Sequence, residues 1–493
     1  MGLREAVSHL AESEYRGHHK PQARYGIYAA RVLLGLLWLV SSSPSTPAFS
    51  VPKRSPQETS SEYQLRPDQV TTSDGRTVVM ACYDKEPHKL AAQDAAEITA
   101  LDLTMEHVPC QRLAVTEEGF RALKNDPNIT ALAQEVEVQP TGVVSSVTSQ
   151  ESSPDLLLEN TRARVAHGWG IRGRGTHIGL IGYGVNEKTH LLNLQRALDP
   201  VGVCLGTTIN DSIQSGCEGK QSRVKGLYAG TVVDDDTGSR HHEHALAQVI
   251  TYLAPEARIT SIALNTIETT EYGRRALAYL GEIVRGINEA IDMGVDFINV
   301  SFNTVPDPDN PYMTETQLRE FFPPLNEAVD RANQAGIAVV FSAGNYPLSA
   351  YPAGLRGVVS VSTISEGGFV PLYAPADPRV TFAVRGENVP VQRAWDYAGD
   401  EDWTTLEGTS GSAAEGDGLL ALGLSGLARY GWTQSAIVSA FTSRGARVPK
   451  SGTVNTVSEA HMGVLFSDPQ VRRDLGLTML SLPWLSTNVT LTP

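Results

Sequence analysis

The chain of 493 residues is long enough for one large domain or two to three ordinary ones, and its 41% apolar content supplies a substantial core. Its 40 Lys and Arg against 55 Asp and Glu leave a formal net charge of -15, which repels phosphate backbones and argues against nucleic-acid binding.

In chain order, the first signal is the apolar run RVLLGLLWLV at 31–40, well short of the roughly 20 residues a spanning helix needs. Arg16, Lys20, Arg24 and Arg31 lead into it, small residues follow, and cleavage is expected near Ala48. Residues 1–48 therefore read as a secretory signal, with a short membrane anchor as the other reading. Either way the body is exported, secreted to the extracellular space or periplasm. Residues 49–75 contain a Ser- and Pro-rich linker.

Residues 76–140 read as a small α+β unit. RTVVMACYD is a strand, KLAAQDAAEITAL a helix, EHVPCQRLAV a strand, TEEGFRALKNDP a helix and ITALAQEVEVQP a last strand. Thr116 is a good N-cap with Glu117 and Glu118 in the first turn, and Asn125-Asp126-Pro127 stops that helix. The Ser-rich stretch TGVVSSVTSQESSPD opens a second linker over 141–159, the kind of polar segment where chains are cut.

The four cysteines, Cys82, Cys110, Cys204 and Cys217, suit an oxidising compartment and allow three pairings. The local choice is Cys82 with Cys110 and Cys204 with Cys217; buried free thiols are the alternative. No CxxC spacing points to a metal or redox site.

From 160 to 450 strands and helices alternate: HIGLI, helix HALAQVITYL, RITSIAL, a helix over 275–293, VDFINVS, helix LNEAVDRANQAG, IAVVFS, VVSVST, and helices near 411–428 and 433–444. Ile283, Ile287, Ala290 and Ile291 mark one buried helix face. Apolar strands separated by amphipathic helices mean a parallel sheet covered on both faces, with chemistry beyond the carboxyl ends of the strands. Residues 451–493 form an uninformative tail.

Four loop ends carry the chemistry. HIGLI runs into Gly182-Tyr183-Gly184, a shelf with no side chain at its tip. Ser410 opens an apolar helix after Gly408-Thr409, where backbone N–H groups favour a developing oxyanion, although it could simply cap that helix. Asn345, in FSAGNYP, follows a buried strand and could donate into the same space, or be a turn residue. His241, in DDDTGSRHHEHALAQVI, stands at a helix entrance as a general base or a surface cap.

Taken together, in the order Gly182, His241, Asn345, Ser410, these motifs resemble those of the subtilisin-like serine proteases, the subtilase (S8/S53) superfamily. The family's usual texts are Asp-Thr-Gly-Val-Asp, His-Gly-Thr-His-Val-Ala-Gly, Ala-Gly-Asn and Gly-Thr-Ser-Met-Ala-Ser-Pro. LAPEARITSIAL, INEAIDMGVDFINVS, AVDRANQAGIAVVFSAGN and YPAGLRGVVSVST also match, so the likeness covers about 160–445.

The resemblance implies a three-layer α/β/α fold with a mostly parallel sheet, preceded by a small ferredoxin-like α+β propeptide that acts as chaperone and inhibitor. It implies a secreted serine endopeptidase using Ser410 as nucleophile, His241 as base and Asn345 in the oxyanion hole. The partners implied are a polypeptide substrate or protein ligand and the chain's own propeptide. The N-terminal segment, if uncleaved, would be its only membrane attachment.

The departures are specific. Gly182 stands where the family has the aspartate that orients the histidine. His242 and Glu243 replace Gly-Thr, Gly411 replaces Met, Ala414-Glu415 replace Pro-His, and Asn303 and Thr304 stand where glycines usually floor the substrate pocket. Losing the aspartate costs on the order of 10⁴-fold in turnover, so a weakened enzyme and a catalytically inactive binding or regulatory homologue are both expected outcomes. Glu243, Glu187 or one of Asp234, Asp235 and Asp236 could substitute.

The sedolisin branch uses a glutamate near the histidine position with an aspartate four residues on, but Ala247 occupies that place. No catalytic cofactor or metal is implied. His241 and His244 lack the His-Glu-x-x-His zinc spacing, and the run at 234–236 is either a structural calcium loop or a solvated acidic one.

Overall fold

Short, mostly apolar runs such as Phe297–Val300 and Ala338–Ser342 are buried along their whole length, as in a strand covered on both faces. The computed structural model describes residues 70–83, 97–101, 110–144, 154–185, 191–217, 222–225, 241–271, 273–305, 313–392 and 403–477. The chain divides into Met1–Gln64 and Leu65–Pro493, and every residue described belongs to the second unit. The expected signal segment and most of the first linker lie outside the described residues.

The N-terminal part has strands β1 (Thr77–Tyr83), β2 (Ile98–Ala100), β3 (Cys110–Val115) and β4 (Ile129–Gln134), with helix α1 (Glu117–Asn125) between β3 and β4. They form an antiparallel sheet in the order β2-β3-β1-β4. Thr116 caps α1 by accepting from the Gly119 N–H, as its sequence position predicts. The helix expected across 89–101 is corrected at its end: Ile98–Ala100 pairs with β3, where β-branched Ile98 and Thr99 suit a pleated surface. Residues 84–96 lie outside the described residues. The last expected strand is split, β4 ending at Gln134 and a new strand, β5 (Glu137–Pro140), leaving the sheet. Disulfides join Cys82 to Cys110 and Cys204 to Cys217, the local pairing.

The main body is an eight-stranded sheet. After β6 (Gly142–Val144), which lies outside it, its strands in chain order begin with β7 (His177–Gly182) and β8 (Val201–Leu205). Also outside that sheet is β9 (Ile213–Ser215), and then come β10 (Ser222–Lys225) and β11 (Arg258–Leu264). β12 (Thr266–Thr270) and β13 (Gly273–Tyr279) form a hairpin, followed by β14 (Phe297–Val300), β15 (Phe302–Asn303), β16 (Ala338–Ser342), β17 (Val359–Thr363) and β18 (Phe382–Val384). The order β10-β8-β11-β7-β14-β16-β17-β18 is parallel except for the β10 edge.

Three of the helices packed on this sheet are α2 (His242–Leu253), α3 (Leu280–Asp292) and α4 (Thr409–Leu427). In α3 the expected face is buried at Ile283, Ile287 and Ala290 and half-buried at Ile291. That helix begins at Leu280, not at 275: the preceding residues pair as β13 with a segment far away in sequence, a tertiary choice no local pattern reveals. α4 is buried on nearly every side, its small and apolar residues broken by the buried acids Glu415 and Asp417, and it packs along α2.

The small N-terminal sheet is tied to the main body by buried charge. Arg112 Nε donates to Glu135 Oε2 at 2.8 Å, its Nη1 lies 3.7 Å from Glu282 Oε1, and all three side chains have no solvent exposure. Glu135 Oε1 accepts from the Gly281 N–H at 2.8 Å, in the first turn of α3, where unpaired N–H groups and the helix dipole favour a carboxylate.

Candidate active site

Residues 137–144 run across the carboxyl ends of the parallel strands. β5 pairs antiparallel with β13 on one side (Ala278 opposite Val138) and with β15 on the other (Phe302 opposite Pro140). The chain then continues as β6, which pairs with β20 (Trp403–Gly408), a strand that also pairs with β19 (Val389–Gln392). Between β5 and β6 sits Thr141. The stretch read as the start of a linker thus occupies a strand-lined cleft.

Ser410 is the second residue of α4 and is fully buried. The preceding Gly408 has φ 98°, and a Cβ there would come within 2.4 Å of the Thr141 carbonyl oxygen and 2.5 Å of Asn345 Nδ2, so the position demands glycine. Asn345 follows β16. Its Oδ1 accepts from the Thr409 N–H at 2.9 Å and the Thr409 hydroxyl at 3.1 Å, which fixes the amide so that Nδ2 faces the cleft. Nδ2 donates to the Thr141 carbonyl oxygen at 2.6 Å, and the Ser410 N–H approaches the same oxygen at 3.4 Å. Two donors converging on one peptide carbonyl are what stabilises an oxyanion.

The Ser410 hydroxyl lies 2.8 Å from the Thr141 hydroxyl, which also donates to the Ser301 carbonyl at 3.1 Å and meets the Ser342 hydroxyl. A Cβ on Gly142 would stand 2.8 Å from Ser410 Cβ, so the serine is pressed against the Thr141–Gly142 peptide. Asn303 and Thr304, flagged at the pocket floor, are buried, and Asn303 Nδ2 donates to the Ser342 carbonyl at 2.8 Å.

The tip of β7 is not empty space. A Cβ on Gly182 would fall 2.1 Å from Glu243 Oε1 and 2.2 Å from its Cδ: the Glu243 carboxyl occupies that volume. Its Oε1 lies 2.6 Å from Nδ1 of His242, and both side chains are buried, with 1% exposure for His242 and none for Glu243. The sequence places the base at His241. The structure gives the carboxylate contact to the next residue, His242, while His241 is the buried N-cap of α2. The His242 ring meets Phe302 edge-on, 6.0 Å between centroids, and Phe302 is the partner of Pro140 in the cleft. β6 lies against both α2 and α4. His244, in the same first turn, is fully buried, and burial pushes its pKa down to about 4, so it is neutral at pH 7. Glu187 and Asp234 to Asp236 lie outside the described residues.

Two acids inside α4 stand apart from this chemistry. Burial pushes the Asp417 pKa up to about 8, against the lowering effect of a hydrogen bond from Asn299, and burial also raises Glu415 well above the usual carboxylate range. Among the described residues no group of three His, Cys, Asp or Glu is suited to a metal, and no helix is long and apolar enough to cross a membrane.

A serine heading a buried helix beside a fixed amide, at the carboxyl edge of a parallel sheet, is the arrangement of the subtilisin-like fold class. Residues 226–461 match the model of the subtilase family (Peptidase S8). It is 24% identical over 341 residues to the thermostable alkaline protease of Halalkalibacterium halodurans, a match spanning 68% of this chain and 79% of that protein. Fervidolysin from Fervidobacterium pennivorans, a keratinolytic enzyme related to subtilisin, superposes with a TM-score of 0.59 at 15% identity. That superposition takes in 82% of this chain but 62% of the fervidolysin chain, and the likeness is one of fold.

Proposed function

We propose that the protein is an exported subtilisin-like serine endopeptidase, and that residues 76–141 are its propeptide and inhibitor. The Ser410 hydroxyl attacks a peptide carbonyl as a histidine at the head of α2 takes its proton. Asn345 Nδ2 and the Ser410 N–H hold the resulting oxyanion. The proton passes to the departing amine, and water then hydrolyses the acyl-enzyme.

The observation that carries this reading is the Thr141 carbonyl oxygen, received by Asn345 Nδ2 at 2.6 Å and approached by the Ser410 N–H at 3.4 Å. In this geometry Thr141–Gly142 is the bond presented for cleavage, with β5 on the acyl side and β6 on the leaving side. The two disulfides support export, since such bonds persist in oxidising compartments.

Two observations favour a second reading. Gly182 supplies no orienting carboxylate from its own strand, and the Ser410 hydroxyl sits beside the Thr141 hydroxyl. A chain in which that bond is never cut would be a catalytically inactive subtilase homologue that binds or regulates. N-terminal sequencing of purified wild-type and Ser410→Ala protein separates the two. The endopeptidase reading requires a mature chain starting at Gly142 in the wild type and an intact bond in the variant. An uncut wild type that has been shown to be folded favours the binding protein.

A further inference from the structure

We propose that the cleft is built for one kind of dipeptide: a residue with a β-hydroxyl, threonine or serine, on the acyl side of the cut and a glycine on the leaving side. The proposal rests on the serine endopeptidase reading and names the substrate class of that site, polypeptide segments that present Thr-Gly or Ser-Gly in extended form.

The acyl side is read from Thr141. Its N–H and its hydroxyl both donate to the Ser301 carbonyl, at 3.0 and 3.1 Å. A hydroxyl has one proton and two lone pairs. With the proton on Ser301, the lone pairs are left for the Ser342 hydroxyl and for the Ser410 hydroxyl at 2.8 Å, so the group's hydrogen-bonding capacity is fully used.

The surroundings close around this side chain. Thr141 is 5% exposed, and Ser301, Ser342 and Ser410 are completely buried, so a longer side chain would have to displace them. Asn303, itself buried, braces the Ser342 backbone: its Nδ2 donates to the Ser342 carbonyl at 2.8 Å. Valine has the shape of threonine, yet it would leave the Ser342 and Ser410 hydroxyls without this acceptor in a place closed to water. A site made to bond a hydroxyl rejects the analogue lacking it far more strongly than an apolar pocket rejects one extra methylene.

The leaving side is set by Gly142. A Cβ there would stand 2.8 Å from Ser410 Cβ, 2.9 Å from Ser410 Oγ and 3.0 Å from the Glu407 carbonyl oxygen, all closer than a carbon ordinarily packs. Its partner across the β6–β20 ladder is Gly408, where a Cβ would strike the Thr141 carbonyl oxygen and Asn345 Nδ2. The serine that attacks the carbonyl thus excludes a side chain on the residue that departs.

The test begins with the full-length precursor and the rate at which it is cut between Thr141 and Gly142, followed by intact mass. Thr141→Val keeps the shape and loses the hydroxyl, and is expected to cut about 5- to 150-fold more slowly than wild type, the effect of leaving buried polar groups unpaired. Thr141→Ser is expected to be about fivefold or more faster than Thr141→Val. The mature protein that self-cutting yields is then given the peptide EVQPTGVV, residues 137–144, so that the enzyme's fold is the same for every substrate. Its kcat/KM should fall over the same range for the Thr141→Val and Gly142→Ala peptides, and further for the Thr141→Phe peptide. Ser342→Ala in the enzyme should narrow the preference for the Thr over the Val peptide by about 2- to 13-fold, the worth of one hydrogen bond, a ratio that a purely structural role would leave unmoved.

A Val peptide cut within about twofold of the Thr peptide, an Ala peptide cut as fast as the Gly peptide, or a Thr-to-Val ratio unchanged in Ser342→Ala would overturn the proposal. If the wild type is never cut, the endopeptidase reading fails alone, and recognition is read in that uncut chain by amide hydrogen exchange over residues 137–144. Faster exchange of this segment in Thr141→Val than in Thr141→Ser supports a site built around the hydroxyl, and equal protection in the two refutes it.

Discussion

Replacing Gly142 by alanine puts the cleft geometry to a quantitative test. The added methyl carbon would stand 2.8 Å from Ser410 Cβ, 2.9 Å from its Oγ and 3.0 Å from the Glu407 carbonyl oxygen. Ordinary carbon contacts fall at about 3.5–4.0 Å, so the shortfall is roughly 0.5 Å or more on three sides at once, two of them the nucleophile and one backbone. Forcing a methyl into such a space costs about 1–3 kcal/mol. If the strand must be seated for Ser410 to reach the Thr141 carbonyl, that cost appears as cleavage about 5- to 150-fold slower. The assay is intact-mass spectrometry of purified Gly142→Ala precursor over time, with thermal melting to show that the fold is kept. Cutting at the same bond and at the wild-type rate would refute the placement of Gly142 against Ser410.

Asn345→Ala should lower turnover by about 10²–10³-fold, measured by self-processing, since it removes one of two oxyanion donors. Arg112→Ala leaves Glu135 and Glu282 buried without their counter-charge and should destabilise the precursor by about 3–5 kcal/mol in chemical denaturation. Asp417 holds its proton in the native state up to about pH 8, against a value near 3.8 when unfolded, so the native state binds the proton more tightly. Its contribution is therefore full below about pH 4 and is lost as pH rises toward 8. Asp417→Asn, which cannot ionise, should gain stability relative to wild type across that window, and a stability difference independent of pH would contradict the assignment.

Most of the parallel sheet was legible because its strands are mostly apolar and its helices keep a 3.6-residue period, as in Ile283, Ile287 and Ala290. The placement of Ser410 and Asn345 at the ends of elements was legible for a related reason: each follows a glycine that its backbone needs, Gly408 and Gly344, both at positive φ. What escaped was decided by distant pairing. β13 reads locally as part of a helix, yet it is held as a strand by β12 and by a segment more than a hundred residues earlier, at 137–138. Thr141 and Gly142 looked like linker because nothing in TGVVSS announces a cleft. Gly182 pointed to a missing aspartate, and only three dimensions show the Glu243 carboxyl filling the volume beside it, within reach of His242 Nδ1.

The central claim is that Ser410 is an activated nucleophile. Fluorophosphonate labelling of the folded protein freed of residues before Gly142 tests it most directly, with Ser410→Ala as the control. Label is expected on the Ser410 peptide in the wild type and not in the variant. Folded protein with an open cleft that takes no label at Ser410 would contradict it.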